Sequence, residues 1–276
     1  MKKLLAMILM TTMILGITAC GAAEEEKPEA PATEEADDAE APAERTTFTV
    51  GFDAEYPPYG YMDENGEYTG FDLELAQAVC DLKGWELVKT PINWDSKDME
   101  LDSGSIDCIW NGFTINGRED AYTWSKPYVN NSQVVVVSEA SGMTKLEDLA
   151  GKIVGVQTAS SALAALQGDH ADLMASFATL QEFGDYNNAF VELKAGAIDA
   201  IAMDIGVAEY QIASRGEGFI MMEEYLAEEQ YGIGFKLGNE ALRDEVEAAL
   251  MEVVEAGTYT ELAEKYELTN YTVLDK

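Results

Sequence analysis

The sequence predicts an α/β architecture with largely parallel sheets, and two observations carry that prediction. From residue 46 to residue 276, short strand-like runs alternate with helix-like runs nearly throughout, the pattern that winds a parallel sheet and covers it with helices. That stretch is also too long for a small domain and suits one large or two modest ones.

The first strand covers residues 47–52, where Phe48, Val50 and Phe52 alternate with threonines. A polar loop with Pro57, Pro58 and Gly66 leads to a helix over 72–83, with Leu75, Ala76, Val79 and Leu82 at helical spacing. A strand at 85–88, a short helix ending at Gly104 and a strand at 106–110 complete a first βαβαβ run. The valine run 134–137 reads as a fully buried strand that enters a new unit. Thr144 and Glu147 have capping-box spacing ahead of Leu149. Residues 152–157 form the next strand, and Ser160 or Ser161 suits the start of the helix after it. Helices over 186–195 and 205–213 flank a strand at 198–202, which gives the second unit its own sheet. Strand-like segments at 219–222 and 231–237 follow. Two helices close the chain, 240–256 with Gly257 as its stop and 259–266.

The N-terminus has a different character. Met1, Lys2 and Lys3 precede an apolar run over residues 4–17, the charged and apolar regions of a secretory signal, too short for an ordinary transmembrane helix. The run closes on Ile17, Thr18, Ala19 and Cys20 before Gly21, and this resembles the lipobox at which bacterial lipoproteins are cleaved and acylated. Cys20 would then be the mature N-terminus; an ordinary signal peptide with a chance cysteine is the alternative. Residues 21–45 carry ten acids among Ala and Pro with almost no large apolar residues, so they read as an extended, self-repelling tether.

The formal net charge is −35. With Lys2 and Lys3 cleaved away and the tether's ten acids and two bases set aside, about −29 remains on residues 46–276, so the acidity belongs to the folded part. No basic stripe is present to release counterions from phosphates, which argues against nucleic acid as a partner. An anionic ligand would meet an unfavourable long-range field. Cys80 stands in an apolar helical run and Cys108 in an apolar strand, so both read as small buried hydrophobes. A disulfide between them is allowed by an exported address but not argued by spacing. With one histidine, His170, and no Cys/His cluster, the sequence argues for no metal and no other cofactor.

Four motifs make the chain specific. The first is Gly51, Phe52, Asp53, Ala54, Glu55, Tyr56, Pro57, Pro58 and Tyr59, followed by Gly70, Phe71, Asp72 and Leu73. The second runs from Gly104 through Asp107 into Asn111, Gly112, Phe113 and Thr114, with Arg118, Ser125, Pro127 and Tyr128. The third is Gly151 to Gln157 up to Ser160 and Ser161. The fourth is Leu193, Gly196, Ile198 and Asp199 up to Asp204, with Gly257, Thr258, Tyr259, Lys265 and Tyr266 near the end. Together they resemble the polar amino-acid branch of the periplasmic-type solute-binding proteins, bacterial extracellular family 3, over essentially all of residues 46–276.

The resemblance implies a two-lobed periplasmic binding protein type II fold, each lobe a mostly parallel sheet flanked by helices and joined by two hinge strands. Lobe 1 would comprise residues 46–132 and 228–276, and lobe 2 residues 133–227. The ligand would bind in the interlobe cleft at the strand ends. An amino-acid zwitterion needs a cation for its carboxylate and an acceptor for its ammonium, because either charge left bare in a closed cleft costs several kcal/mol. By the family pattern Arg118 grips the carboxylate through two parallel hydrogen bonds. Ser160 and Ser161, at a helix start, share that carboxylate through N–H groups and hydroxyls. Asp204 accepts the ammonium with the Gly112 carbonyl and the Thr114 hydroxyl, in the motif that Asn111 opens. Tyr56, Tyr59, Trp94 and Trp110 match or adjoin pocket-wall positions. Asp53 matches a position that touches the ligand's distal end, where a carboxylate tolerates an amide or a cation and disfavours glutamate or aspartate.

Each residue has an ordinary alternative. Arg118 suits a solvated surface charge, Asp204 and the serines suit helix caps, and Tyr59 and Trp110 suit lobe packing. The loop from Thr114 to Arg118 is one residue shorter than is usual in the family, with Asn116 and Gly117 in the turn, which puts the register of Arg118 in question.

The implied activity is non-enzymatic capture of a neutral amide or basic amino acid outside the cell membrane, and delivery to ABC permease subunits served by a separate ATPase. This chain carries no phosphate-cradling P-loop. The protein would act as a monomer, held to the membrane by lipid on Cys20. An exported cyclohexadienyl-type dehydratase on the same fold is the enzymatic rival; it needs a general acid in the cleft, for which Glu55 is the candidate. A ligand-sensing lipoprotein is the third reading.

Overall fold

The computed structural model describes residues 45–274. The signal segment, Cys20 and the tether as far as Glu44 lie outside the described residues.

The chain opens with β1 (Thr47–Phe52) and a three-stranded meander, β2 (Glu55–Tyr56), β3 (Gly60–Met62) and β4 (Tyr68–Thr69). Then come α1 (Phe71–Lys83), β5 (Glu86–Pro91), α2 (Lys97–Ser103), β6 (Cys108–Ile109) and β7 (Thr123–Trp124). The long strand β8 (Val129–Ser138) carries the chain into a second sheet, built with β9 (Ile153–Gln157), α3 (Ser161–Gln167), α4 (Ala171–Ser176), β10 (Thr179–Phe183), α5 (Tyr186–Ala195), β11 (Ala200–Asp204), α6 (Ile205–Arg215) and β12 (Phe219–Met221). The chain returns along β13 (Ala227–Tyr231) to β14 (Gly234–Phe235) and closes with α7 (Glu240–Glu255) and α8 (Thr258–Lys265).

The first sheet has the order β5-β1-β6-β14-β7, and the second has β10-β9-β11-β8-β12 with β13 also paired to β8. The expected parallel pairing holds where a helix separates successive strands, in β5-β1-β6 and β10-β9-β11. The sheets are mixed rather than mostly parallel, because β14, β7, β8, β12 and β13 pair antiparallel. β7, β8, β13 and β14 come back from the other sheet or through connections without a crossover helix, whereas β12 follows α6, runs in the direction of β11 and is antiparallel only to its neighbour β8.

Apolar spacing decided the elements it could reach. α1 buries Phe71, Leu75, Ala76, Val79 and Cys80, and stops at Gly84, whose φ of 68° fits the left-handed cap. In β8, Val134 and Val136 join one core cluster and Val135 and Val137 the other, all fully buried. Burial on both faces is why the run carries no polar alternation. Cys80 and Cys108 are free and buried.

Four readings are corrected. Residues 55–69 form the meander rather than a plain loop. α4 and β10 lacked a signal because α4 buries no residue and β10 is only partly covered. The strand-like run 231–237 splits into the end of β13 and β14. Asp148, not Glu147, reaches back at the turn over Leu146–Leu149, its carboxylate accepting the N–H groups of Thr144 at 2.9 Å and Lys145 at 3.1 Å. At α3 the choice falls on Ser160, whose hydroxyl oxygen accepts the Leu163 N–H at 3.1 Å.

Candidate functional site

Segments that follow β1 and β6 meet segments at the ends of β9 and β11, so the cleft forms where parallel strands of both sheets finish. Tyr56, Trp94, Asn111, Gly112, Thr114, Arg118, Gln157, Ser160, Ser161 and Asp204 line one cavity there. Of the expected site residues, all but Asp53, Tyr59 and Trp110 are thus brought together, and Gln157 is added. The cavity leaves about 10 Å³ for water, so the two sides are drawn close.

At one end stands Arg118. The short loop is a tight turn in which the Arg118 N–H donates to the Ile115 carbonyl at 2.9 Å, and Gly117 takes φ 76°. The Trp124 indole N–H holds the Arg118 carbonyl at 3.0 Å. The guanidinium lies over Phe113 at 5.3 Å, with Nη1 donating to the Thr114 carbonyl at 3.2 Å and Nη2 to the Ala159 carbonyl at 3.3 Å. The short loop therefore does not keep Arg118 out of the cleft. Two of its five N–H donors are engaged in these long bonds, which leaves a fork face to spare. Ala159 itself has φ 57°, a left-handed backbone that costs an alanine energy, immediately before the Ser160 cap.

At the other end stands Asp204, with one oxygen accepting from the Tyr231 hydroxyl at 2.6 Å and from the side-chain amides of Asn131 and Gln133, each at 2.7 Å. Burial, and then the negative charge of Glu229, push its carboxyl up to about 6. Glu229 accepts from the same two amides at 2.7 Å and from the Thr114 hydroxyl at 2.7 Å. The Ser161 hydroxyl donates to it at 3.1 Å.

Behind the cleft floor, Asp72 accepts the Gly112 N–H at 2.6 Å and the Tyr128 hydroxyl at 2.8 Å, and burial pushes it up to about 7. Gly112 takes φ 54°, and a Cβ there would stand 2.9 Å from the Tyr56 ring, so the position demands glycine. Tyr59 packs edge-on against Tyr231 at 5.3 Å, and Trp110 packs on Tyr128 at 6.3 Å in the core. Both are fully buried behind the wall rather than in it.

Asp53 faces a second cavity of about 560 Å³ that shares Trp94 with the first and is also lined by Glu55, Asp95 and Asp185. Its carboxylate accepts from Gln157 Nε2 at 2.7 Å and from the Glu55 N–H at 2.9 Å, and burial pushes it up to about 6. Glu55 is exposed at this rim and pairs with Asn187.

Sequence reasoning missed Asn131, Gln133, Glu229 and Tyr231. A signal existed: Asn131 and Gln133 fall two apart, on one face of a strand that runs on into four buried valines, where a polar side chain must find partners.

The profile of the bacterial extracellular solute-binding proteins, family 3, matches residues 48–269. The L-cystine-binding protein TcyJ of Escherichia coli (strain K12) is 30% identical over 226 residues, covering 81% of this chain and 83% of the relative. A substrate-binding protein of an ABC uptake transporter from Streptococcus pneumoniae, solved with bound histidine, is 30% identical, spans 80% of this chain and 92% of its own, and has a TM-score of 0.77. An ancestral arginine-binding protein bound to arginine is 34% identical over 81% of this chain and 99% of its own, with a TM-score of 0.75. Fold and cleft define the class, a two-lobed type II periplasmic binding protein with a cation at one end of its clamp and carboxylates at the other. The chain belongs to the bacterial extracellular solute-binding proteins, family 3. It is an extracytoplasmic, non-enzymatic amino-acid-binding component of an ABC transporter.

Proposed function

We propose that this protein captures an amino acid with a basic side chain, arginine or a close analogue, and presents it to a membrane permease. One observation carries the reading: three carboxylates, Asp53, Asp204 and Glu229, are buried around the cleft against two cations, Arg118 in its lining and Lys97 buried against Trp94. Unbalanced buried charge costs several kcal/mol. An α-amino acid adds one charge of each sign; a cationic side chain adds the positive charge that is lacking. The cavity beyond Trp94, with Asp53, Glu55, Asp95 and Asp185 in its walls and an aromatic face at its entrance, suits that side chain. The names of the similar proteins, for cystine, histidine and arginine, agree with an amino-acid ligand and include two that carry basic groups.

In this reading Arg118 and the start of α3 at Ser160 hold the carboxylate, and Asp204, Thr114 and the Gly112 carbonyl hold the ammonium. Lobe 1 is residues 46–132 with 228–276, lobe 2 is residues 133–227, and β8 and β13 are the hinge. The narrow cavity requires the lobes to part for entry and to close again on contacts that the open form cannot make. A monomer lipidated on Cys20 and held off the membrane by the acidic tether completes the assignment.

A thermal-shift series on the mature protein tests it, with arginine, lysine, ornithine, histidine, glutamine, cystine and glutamate as ligands. A hundredfold excess over Kd adds ~2.7 kcal/mol of apparent stability. Arginine is expected to give the largest shift and glutamate none. A glutamate shift exceeding that of arginine would sink the charge argument.

A further inference from the structure

The two carboxylates at the ammonium end are held against each other. Asp204 stands opposite Gln133 across the β11–β8 pairing, and Glu229 stands opposite Asn131 across the β13–β8 pairing. The side chains of Asn131 and Gln133 share one face of β8, and each amide nitrogen lies 2.7 Å from one oxygen of Asp204 and 2.7 Å from one oxygen of Glu229. Those oxygens are therefore no further apart than twice that bond length. Glu229 is 7% exposed and Asp204 2%.

Among the described residues no cation pairs with either of them. Glu229 and Tyr231 face Asp204 from β13, Tyr56 from β2, Tyr59 from the turn beyond it and Tyr186 from α5. Asn131 and Gln133 face it from β8. The two side-chain hydrogen bonds of Arg118 go to the carbonyls of Thr114 and Ala159 and to neither carboxylate.

Glu229 also fixes two hydroxyl protons. A hydroxyl carries one proton and two lone pairs, and an ionised carboxylate only accepts. Thr114 Oγ1 is 2.7 Å from Glu229 but 3.1 Å from Ser161 Oγ, so its proton goes to the carboxylate. With both Gln133 N–H groups taken by the two carboxylates, Ser161 Oγ turns its own proton to Glu229 at 3.1 Å. Both hydroxyls thereby present lone pairs, which suit an ammonium and repel a carboxylate.

Resting on the amino-acid reading above, we propose that Glu229 is the positioning residue of the ammonium subsite, where it orients Thr114 and Ser161 as acceptors and, by its charge, holds on Asp204 a proton that the incoming ammonium displaces into solvent. Ser161 then differs from its neighbour Ser160, whose hydroxyl proton stays available for the ligand carboxylate. One proton leaves the pair, one ammonium replaces it, and the subsite keeps the same charge.

The test is calorimetric titration of arginine into the mature protein at pH 6 in buffers of different ionisation enthalpy, repeated from pH 5 to 8, for the wild type and for Glu229→Gln. The wild type is expected to release part of a proton at pH 6. Its Kd should rise towards tenfold per pH unit on further acidification, because a proton on Asp204 competes with the ammonium. In Glu229→Gln the like charge beside Asp204 is gone, so the acid limb moves to lower pH. The amide can also donate to both hydroxyls, which turns their protons outward and weakens binding at pH 8 by roughly tenfold. Glu229→Asp, which keeps the charge, is expected to keep the wild-type acid limb. A heat independent of buffer at pH 6 in the wild type overturns the inference without any variant, and so does a Glu229→Gln protein with unchanged affinity and acid midpoint. A wild type that binds arginine in neither assay overturns the functional reading instead.

Discussion

The cation at one end of the cleft and the carboxylates at the other are mounted on different kinds of backbone. Arg118 rides on a four-residue turn, half-buried, on a long side chain with bonds of 3.2 and 3.3 Å to its neighbours. Asp204 closes β11, and Glu229 lies within β13 on the far side of β8; both are buried, with bonds of 2.6 to 2.7 Å. A turn adjusts more readily than paired strands do. In the proposed binding mode the ammonium end therefore sets where an amino acid sits, and the guanidinium end follows it. A long, flexible, permanently charged side chain suits the following role.

Four measurements would break or sharpen that contrast. The largest loss is expected for Asp204→Asn, which keeps the shape and an acceptor for Tyr231 while removing the charge. Arginine affinity should fall by about 3 kcal/mol, over a hundredfold, by calorimetry. Retained affinity would show that the ligand does not register on the sheet. Arg118→Lys is expected to cost about tenfold, since a cation remains but the planar fork is lost. A cost equal to that of Asp204→Asn would remove the distinction between the two mounts.

A smaller and selective effect belongs to the outer cavity. Asp53→Asn combined with Asp185→Asn should lower arginine affinity by about 1 kcal/mol while leaving glutamine nearly unchanged, because these acids act through a partly wet space on a distal cation. Equal losses for both ligands would place the pair in general packing. The smallest effect on binding is expected at Asp72, which acts on stability instead. Its folded acid is raised by burial to about 7, above the unfolded value, so the folded form takes up the proton more readily. Stability from this group is greatest in acid and is lost as pH rises through that range. Melting curves from pH 5 to 8 should show a wild-type decline that Asp72→Asn flattens by about 1 kcal/mol. A parallel decline in both proteins would assign the trend to other groups.

Much of this organisation was legible from residues alone. The glycine stop at Gly104, the alternation in β1 and the valine run of β8 each answer to one local rule, and each was found. Asn111, Gly112, Thr114, Arg118, Ser160, Ser161 and Asp204 were named from motif context and line one cavity. The shape of the turn that returns Arg118 to the cleft was not legible, because it depends on the Trp124 indole holding its carbonyl. Glu229 was invisible for a similar reason: in sequence it is one acid of the Glu228 and Glu229 pair in an acidic chain.

The sequence by itself determined the α/β alternation, the elements with one strongly apolar face and the residue types able to clamp a zwitterion, since those follow from spacing and side-chain chemistry. Only the tertiary structure decided that β8 places Asn131 and Gln133 between two carboxylates, that Asp53 faces the outer cavity, and that the sheets are mixed. Those facts depend on which strands become neighbours and in which direction, and strand pairing joins residues that no local pattern connects.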